Sequence, residues 1–175
     1  VESDPEVDSV GRGGYLNRNG ELDFEGLKNI VAIRSVSGGK IVLLADGTTR
    51  YQGVTPSDFK RVNRWSDIVC CSASTCAAVG LRTDGTVVST ESRTIFGELL
   101  DECRVSEWNN IVSVCSKSGY TIGLRQNGTV VVAGRNAAIS GKVAHWKNIV
   151  AISAGSNHTV GLKADGTVVA VGSNG

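Results

Sequence analysis

Five cysteines and two histidines are the most reactive side chains in this 175-residue sequence. An odd number of cysteines cannot pair completely within one chain, and their spacing lacks the CxxC pair or nearby histidine of a zinc site. Three of them fall in predicted strands, where a small buried thiol is expected. We therefore expect no metal site and no other cofactor. The cysteines are Cys70, Cys71, Cys76, Cys103 and Cys115.

Neither His145 nor His158 belongs to a Ser/His/Asp, Cys/His or HExxH pattern. A nucleophile elbow and a phosphate-binding glycine loop are also missing from the sequence. The sequence therefore favours a binding protein over an enzyme, with His158 as a loop histidine that hydrogen-bonds to backbone. The sequons that begin at Asn127 and Asn157 are interpreted as coincidental, because both occupy repeat positions with structural roles of their own.

The charge and composition of the chain disfavour several classes of partner. Lys and Arg number 18 and Asp and Glu 17, so the formal charge is +1, which favours neither nucleic acid nor an anionic membrane. No apolar run approaches the roughly 20 residues of a membrane-spanning helix, so membrane insertion is not expected. Aromatic residues make up 5% of the chain and Gly occurs 22 times, which is typical of short strands joined by glycine turns. Residues 1–12 are acidic and lack periodicity, which predicts a leader or linker.

The chain contains four copies of one motif, which align without gaps. The copies begin at residues 27, 65, 108 and 146, so their spacing is 38, 43 and 38 residues. In every copy the first residue precedes an Asp or Asn by 19 positions, and the variation in length falls in the connection. The four segments read LKNIVAIRSVSGGKIVLLADG, WSDIVCCSASTCAAVGLRTDG, WNNIVSVCSKSGYTIGLRQNG and WKNIVAISAGSNHTVGLKADG.

Each copy predicts an antiparallel β unit. A β-branched run is followed by a polar loop and an alternating segment that ends in Asp-Gly or Asn-Gly, the strongest short signal for a hairpin with a type I′ turn. A third strand is predicted after each turn, most clearly at residues 129–133 and 167–171, and a fourth, outer strand before the next Trp, as at residues 141–145. The predicted turns are Asp46-Gly47, Asp84-Gly85, Asn127-Gly128 and Asp165-Gly166.

A unit of about 40 residues with three or four strands cannot bury both faces alone, so the copies must stack into a propeller or a solenoid. Antiparallel hairpins favour the propeller. The residues at the start of the copies would then pack between adjacent blades, because a residue that recurs in every repeat is normally core. These residues are Leu27, Trp65, Trp108 and Trp146.

The shared pattern, W-x-[ND]-I-V-x-[IV]-x-[AS] followed by L-[KRL]-x-[DN]-G-T, resembles the regulator of chromosome condensation repeat family, in particular its bacterial members. The resemblance covers residues 27–175, and residues 13–26 resemble the closing strand of a preceding repeat. It implies an all-β fold, a β-propeller that most often has seven blades. It also implies diverse roles: scaffolding, guanine nucleotide exchange on a small GTPase, chromatin binding and, in one bacterial branch, inhibition of β-lactamases.

Four copies are fewer than the seven blades of the common propeller, which would need about 280 residues. The repeats are predicted at residues 27–64, 65–107, 108–145 and 146–175, the last one partial. Three interpretations follow: a piece of a longer array, a ring completed by a second copy of the chain, or an unusual ring of four blades. Exposed blade faces in the first two cases would support self-association.

Two regions are candidate sites for a protein partner. The loops between the first two strands of each copy vary most, and Lys40, Tyr120, Asn157 and His158 could supply hydrogen bonds or aromatic contact there. The connection at residues 90–107 is five residues longer than its neighbours and carries Phe96 and Leu99 in a pattern compatible with a short amphipathic helix or a blade-covering loop.

The leading hypothesis is a non-enzymatic protein-interaction module or scaffold whose partner is a protein rather than nucleic acid. An inhibitor of a partner enzyme is the first alternative, although such a face usually holds several aromatic anchors and these loops carry only Tyr120. The second alternative is a structural spacer within a larger surface protein, which predicts many more repeats and no discrete partner.

Overall fold

The computed structural model describes residues 27–36, 38–53, 57–94, 96–117, 119–134 and 137–172. Within these ranges twelve strands form four antiparallel sheets of three strands, each built from consecutive strands. The leader predicted at residues 1–12 and the closing strand predicted at residues 13–26 lie outside the described residues. The strands are β1 (Ile30–Val36), β2 (Gly39–Leu44), β3 (Thr49–Gly53), β4 (Ile68–Ala73), β5 (Ala78–Arg82), β6 (Val87–Ser89), β7 (Ile111–Lys117), β8 (Tyr120–Arg125), β9 (Val130–Gly134), β10 (Ile149–Ala154), β11 (His158–Lys163) and β12 (Val168–Gly172).

The four sheets share one register irregularity near the start of their first strand. In the first sheet Ile30 pairs with Leu44 and Ala32 pairs with Leu43, so the valine between them has no partner of its own. A bulge of this kind bends the strand and leaves the extra residue outside the ladder. The same shift occurs in the other three sheets, and in all four the unpaired valine is exposed: Val31, Val69, Val112 and Val150.

All four hairpins are present, but the turn is of a different type from the one predicted. A type I′ turn needs positive φ at both central residues, whereas in these turns only the glycine has positive φ, between 77° and 84°. In the first sheet the N–H of Gly47 donates to the carbonyl of Leu44 (3.0 Å), and the N–H of Leu44 donates to the carbonyl of Thr48 (2.9 Å). The loop is therefore a three-residue turn that closes with a glycine bulge.

The Asp or Asn before the glycine holds this turn together through its side chain. Asp46 Oδ1 accepts hydrogen bonds from the N–H and the hydroxyl of Thr48, at 2.8 and 2.7 Å. The hydroxyl bond, followed by the backbone bond, lowers the pKa of Asp46 below its usual range. Asn127 accepts the same two bonds from Thr129 through its neutral amide oxygen. Asp and Asn can therefore replace each other at this position.

The repeated Trp packs between adjacent sheets, as predicted. Trp65 joins a buried cluster with Ile41, Leu43 and Tyr51 of the preceding sheet. Its ring also covers the backbone of Gly80 in its own sheet, where an added Cβ would lie 2.9 Å from Trp65 Cε3. The Trp therefore requires a glycine opposite it. Trp108 and Trp146 cover Gly123 and Gly161 in the same way, and the copy without Trp has the pair Leu27 and Val42 at these positions.

A backbone hydrogen bond also links each sheet to the next. The N–H of Ile68 donates to the carbonyl of Gly47 in the preceding turn (2.9 Å), and Ile111 and Ile149 repeat this bond to the next two turns at 3.0 Å. The residue before each of these isoleucines has a left-handed backbone, with φ between 54° and 60°. Asn and Asp tolerate that conformation better than other side chains do, which accounts for the [ND] of the repeat pattern.

The predicted outer strand at residues 141–145 is wrong. That region belongs to the helix α1 (Ala137–Val143), and the first connection contains a 3₁₀ helix at Ser57–Arg64, here called the first connecting helix. The apolar side chains of these segments recur at helical spacing, and all are buried: Phe59 with Val62, and Ile139 with Val143. The helices thus cover the outer edge of the core where a fourth strand was expected.

Within the described residues, the array is open at both ends. Leu43, Leu81 and Leu124 face the following sheet and are at most 3% exposed, whereas the equivalent Leu162 of the last sheet is 39% exposed. Its neighbour Val168 is 62% exposed. At the other end Ile33 is 43% exposed, although the equivalent Cys71 and Val114 are buried against a preceding sheet. The first and last sheets therefore each present an apolar face without a neighbour within the described part of the chain.

Candidate interaction surface

The structure corrects the role expected for Tyr120, which has no solvent-exposed surface. Its hydroxyl lies 2.7 and 2.8 Å from the carbonyl oxygens of Gly155 and His158 and 3.2 Å from the hydroxyl of Thr159. Burial raises the pKa of Tyr120, so its hydroxyl stays protonated and can donate. Tyr120 therefore connects the third sheet to the last loop and offers no aromatic contact to a partner.

The other loop candidates lie apart on the first and last sheets. Lys40 is half-buried on β2, whereas Asn157 and His158 are exposed at the start of β11. The His158 ring lies directly against the backbone of Gly155. Its side chain has no hydrogen bond to any described residue, so the expected backbone bond is not observed. Asn157 and His158 are the loop residues of this set that remain available to a partner.

The long connection, residues 90–107, begins with a tight turn that presents Phe96. The phenyl side chain is 85% exposed. The Thr94 hydroxyl accepts hydrogen bonds from the N–H groups of Phe96 and Glu98 (both 3.2 Å), and the N–H of Thr94 donates to the Glu98 carbonyl (2.7 Å). Arg93 closes the turn by donating from Nη1 to the carbonyl of Gly97 (2.8 Å). Hydrogen bonds therefore connect the described residues on both sides of Phe96.

The base of this turn packs on the blade instead of forming an amphipathic helix. Arg93 and Leu99 form an isolated antiparallel bridge, and Leu99 and Leu100 are half-buried. Among the described residues of the long connection, the helical part is a short 3₁₀ segment, Asp101–Cys103. Leu99 thus supports the turn, and Phe96 is the apolar side chain of this pair that faces solvent.

A cleft of about 360 Å³ lies beside the long connection. One wall comes from the end of the first connecting helix and the other from β6 and the long connection, so residues of two repeats meet across it. Val87, Leu99, Val105 and Trp65 contribute apolar lining. Arginine side chains from both walls reach it: Arg61, Arg64 and Arg93.

The cleft already contains one carboxylate contact. Arg61 Nη1 lies 2.7 Å from Glu91 Oε2, and this ion pair joins the first connecting helix to the long connection. Arg64 is exposed and has no ion pair or hydrogen bond through its side chain to the described residues. Three arginines and one glutamate therefore line a cleft in a chain whose formal charge is +1. Sequence reasoning missed this cluster, because its members come from different repeats.

Three of the cysteines, Cys70, Cys71 and Cys103, have the environment of structural thiols. All five lie within the described ranges, and none forms a disulfide. Burial raises the pKa of Cys71 to about 11 and also raises the pKa values of Cys70 and Cys103. A thiol with a raised pKa stays protonated at neutral pH and is a weak nucleophile.

The geometry of the His, Cys, Asp and Glu side chains does not bring a metal site together. No group of three or more of them is arranged to hold a metal ion within the described part of the chain. The helices in that same part are all too short or too polar to cross a bilayer.

Stacked antiparallel sheets with Trp between them define the chain as a run of β-propeller blades. Residues 149–175 match the regulator of chromosome condensation (RCC1) repeat. The other three sheets share the turn and the bulge of this segment, so the chain is an array of four repeats, the last of which matches the RCC1 repeat. No curated protein sequence matches it.

Solved propellers share the fold at low sequence identity. Yeast RCC1 (Prp20), in a complex with Kap60, is 16% identical with a TM-score of 0.57, over 82% of this chain and 44% of the yeast protein. Human WBSCR16 is 12% identical with a TM-score of 0.64, over 93% and 54% of the two chains. The CRINKLY WD40 ectodomain of the Arabidopsis thaliana receptor kinase ACR4 is 15% identical with a TM-score of 0.63, over 82% and 50%. The chain thus spans about half the length of these proteins.

Proposed function

We propose that this chain is part of an RCC1-type propeller that serves as a non-enzymatic protein-interaction module and binds its partner through the long connection. The observation that carries the proposal is the exposure of Phe96, 85% of whose surface faces solvent in the turn of the long connection. Aromatic side chains are enriched among the anchors of protein interfaces, where a few residues supply most of the binding free energy.

The turn below Phe96 favours binding because little conformational entropy remains to be lost. The hydrogen bonds of Thr94 and Arg93 already hold the backbone, so association has to restrict mainly the two side-chain torsions of the phenyl group. A partner that accepts Phe96 in an apolar pocket would remove most of its exposed surface from water.

Two structures of the yeast relative are compatible with a binding role for this fold. Yeast RCC1 (Prp20) is bound to Kap60 in one, and the other is described together with binding to Gsp1p and histones. Those partners belong to the yeast protein. The near-neutral charge of this chain favours a protein partner over nucleic acid.

Asn157 and His158 form a second proposed contact region, at the start of β11. They are exposed, and the bonds of Tyr120 to this loop keep its backbone in place. The open end faces support a further proposal, that the array associates with a second copy of itself, because Leu162 and Val168 lie where the next sheet packs in the other blades.

A capture experiment with matched variants tests the interaction module. The full chain is immobilised, incubated with lysate of the source organism, and the retained proteins are quantified by mass spectrometry. Phe96→Ala should reduce retention of the specific partner at least about fivefold, which corresponds to roughly 1 kcal/mol. The Asn157→Ala, His158→Ala double variant tests the loop, and Val150→Ala serves as a control that truncates another exposed apolar residue.

The proposal fails if the unmodified chain retains no protein above blank resin. Equal retention by the unmodified chain and the Phe96→Ala variant would exclude the long connection as the contact. If the loop double variant alone loses the partner, the contact moves to Asn157 and His158.

A further inference from the structure

We infer that the cleft lined by Arg61, Arg64 and Arg93 binds an acidic peptide segment with apolar side chains between its carboxylates. This inference rests on the proposed function, because it specifies the chemistry of the partner that meets the long connection. The volume of about 360 Å³ falls within the range of ligand sites in proteins.

The charge of the cleft differs from that of the chain as a whole. Three guanidinium groups and one carboxylate line it, whereas the whole chain has 18 basic and 17 acidic residues. Guanidinium groups bind carboxylates through paired hydrogen bonds and remain charged at every physiological pH. The local excess of positive charge therefore favours an acidic ligand.

The chain itself supplies an example of the expected contact. The Glu91 carboxylate lies 2.7 Å from Arg61 Nη1, so one arginine of the cleft already binds a carboxylate at hydrogen-bond distance. Arg64 on the same helix has no such partner among the described residues and is exposed. We assign to Arg64 the first carboxylate of the peptide and to the Nε and Nη2 groups of Arg93, whose Nη1 is bonded to Gly97, the second.

The apolar lining selects against a simple anion. Val88 and Leu99 are half-buried at the cleft and offer contact to an aliphatic side chain placed between two acidic residues, whereas the lining residues Val87 and Val105 are buried. A phosphate or a nucleotide backbone would use the arginines but not this apolar surface. A peptide that alternates acidic and aliphatic residues uses both.

The cleft exists because the second repeat departs from the others. Its third strand, β6, has three residues, whereas the third strands of the other sheets have five. The chain then leaves the sheet and returns through the long connection, so the space beside β6 stays open between two repeats. The added length of this connection therefore provides one wall of the site.

The test measures binding of a capped hexapeptide of alternating Leu and Glu by isothermal titration calorimetry with the full chain. The matched peptide has Gln in place of Glu, and an oligothymidine hexamer represents nucleic acid. We expect the acidic peptide to bind at least about tenfold more tightly than the Gln peptide, and Arg64→Gln to weaken it about tenfold, as the loss of a charge-assisted hydrogen bond predicts.

Two further variants make the result independent of folding. Glu91→Gln removes the carboxylate that competes for Arg61, so it should strengthen binding, a gain that a misfolded protein cannot produce. Arg104→Gln changes an exposed arginine outside the cleft, paired with Asp101 at 3.0 Å, and should leave the affinity unchanged.

Equal affinity for the Glu and Gln peptides, no binding of either, or the same effect of Arg104→Gln and Arg64→Gln would overturn the inference. Tighter binding of the oligothymidine than of the acidic peptide would also overturn it, in favour of a polyanion site. The capture experiment depends on Phe96, whereas this titration depends on the arginines of the cleft. If the titration fails but Phe96-dependent capture persists, the cleft is rejected as a site for an acidic peptide and the proposed interaction module is retained.

Discussion

Replacing Gly123 by Ala should destabilise the array by about 1–3 kcal/mol, because the added methyl group meets the ring of Trp108. A Cβ on Gly123 would lie 2.8 Å from Trp108 Cζ3, whereas ordinary contacts begin at 3.4 Å, so the ring has to move by about 0.6 Å. The ring is packed between the second and third sheets against Val79 and Leu81, which leaves it little room.

Gly141→Ala is the matched control for this substitution. Gly141 lies in α1, where an added Cβ would meet no atom within 4 Å. Ala is a better helix former than Gly, so this change should stabilise the chain by about 0.5–1 kcal/mol. Urea unfolding followed by far-ultraviolet circular dichroism measures both variants without depending on tryptophan fluorescence.

A double-mutant cycle separates the contact with Trp108 from a general intolerance of side chains on β8. Trp108→Leu imitates the first repeat, where Leu27 stands opposite Val42. In that background Gly123→Ala should cost at least about 1 kcal/mol less than in the unmodified chain. A neutral effect of Gly123→Ala in the unmodified chain, or the same cost in both backgrounds, would refute the packing argument.

Three other perturbations test the turns, the last loop and the open end. Tyr120→Phe should lower the free energy of unfolding by about 1–2 kcal/mol, because the carbonyls of Gly155 and His158 lose the phenolic donor. Amide hydrogen exchange at residues 155–158 should become faster, and unchanged exchange would contradict this role. The Thr86 hydroxyl lowers the folded-state pKa of Asp84, so Asp84 stabilises the protein above its unfolded pKa and loses this effect as the pH falls through the folded pKa. Asp84→Asn should keep its stability at pH 7 and lose less of it on acidification to about pH 2 than the unmodified chain; equal losses would count against the turn bond. Sedimentation analysis should show concentration-dependent association that Val168→Asp suppresses, and a monomer at all concentrations would exclude the exposed end as an interface.

The repeat pattern was sufficient to predict four hairpins, the Trp contacts and the propeller, because these depend on interactions that recur in every copy. Asp-Gly restricts the turn locally, and the Trp that starts three of the four copies is buried between its own sheet and the preceding one. The pattern did not distinguish a type I′ turn from a three-residue turn with a glycine bulge. Both contain a glycine with positive φ, and the side-chain bond of Asp46 to Thr48 favours the second.

The connections were predicted less well, because their structure depends on the space that the sheets leave. The segment that contains Ile139 and Val143 is too short for its periodicity to separate strand from helix. In the structure it forms a helix that buries both side chains at the edge of the core. A fourth, outer strand is usual in propeller blades, but in this chain the burial of Ile139 and Val143 favours a helix at that place.

The candidate site depended almost entirely on tertiary structure. Tyr120 and Phe96 are both aromatic residues in variable segments, and local sequence does not show that one is buried and the other 85% exposed. Tyr120 lies where the carbonyls of another repeat meet its hydroxyl, whereas Phe96 lies in the turn of the long connection. The arginines of the cleft come from two repeats, so their convergence follows from how blades stack and could not be read from spacing along the chain.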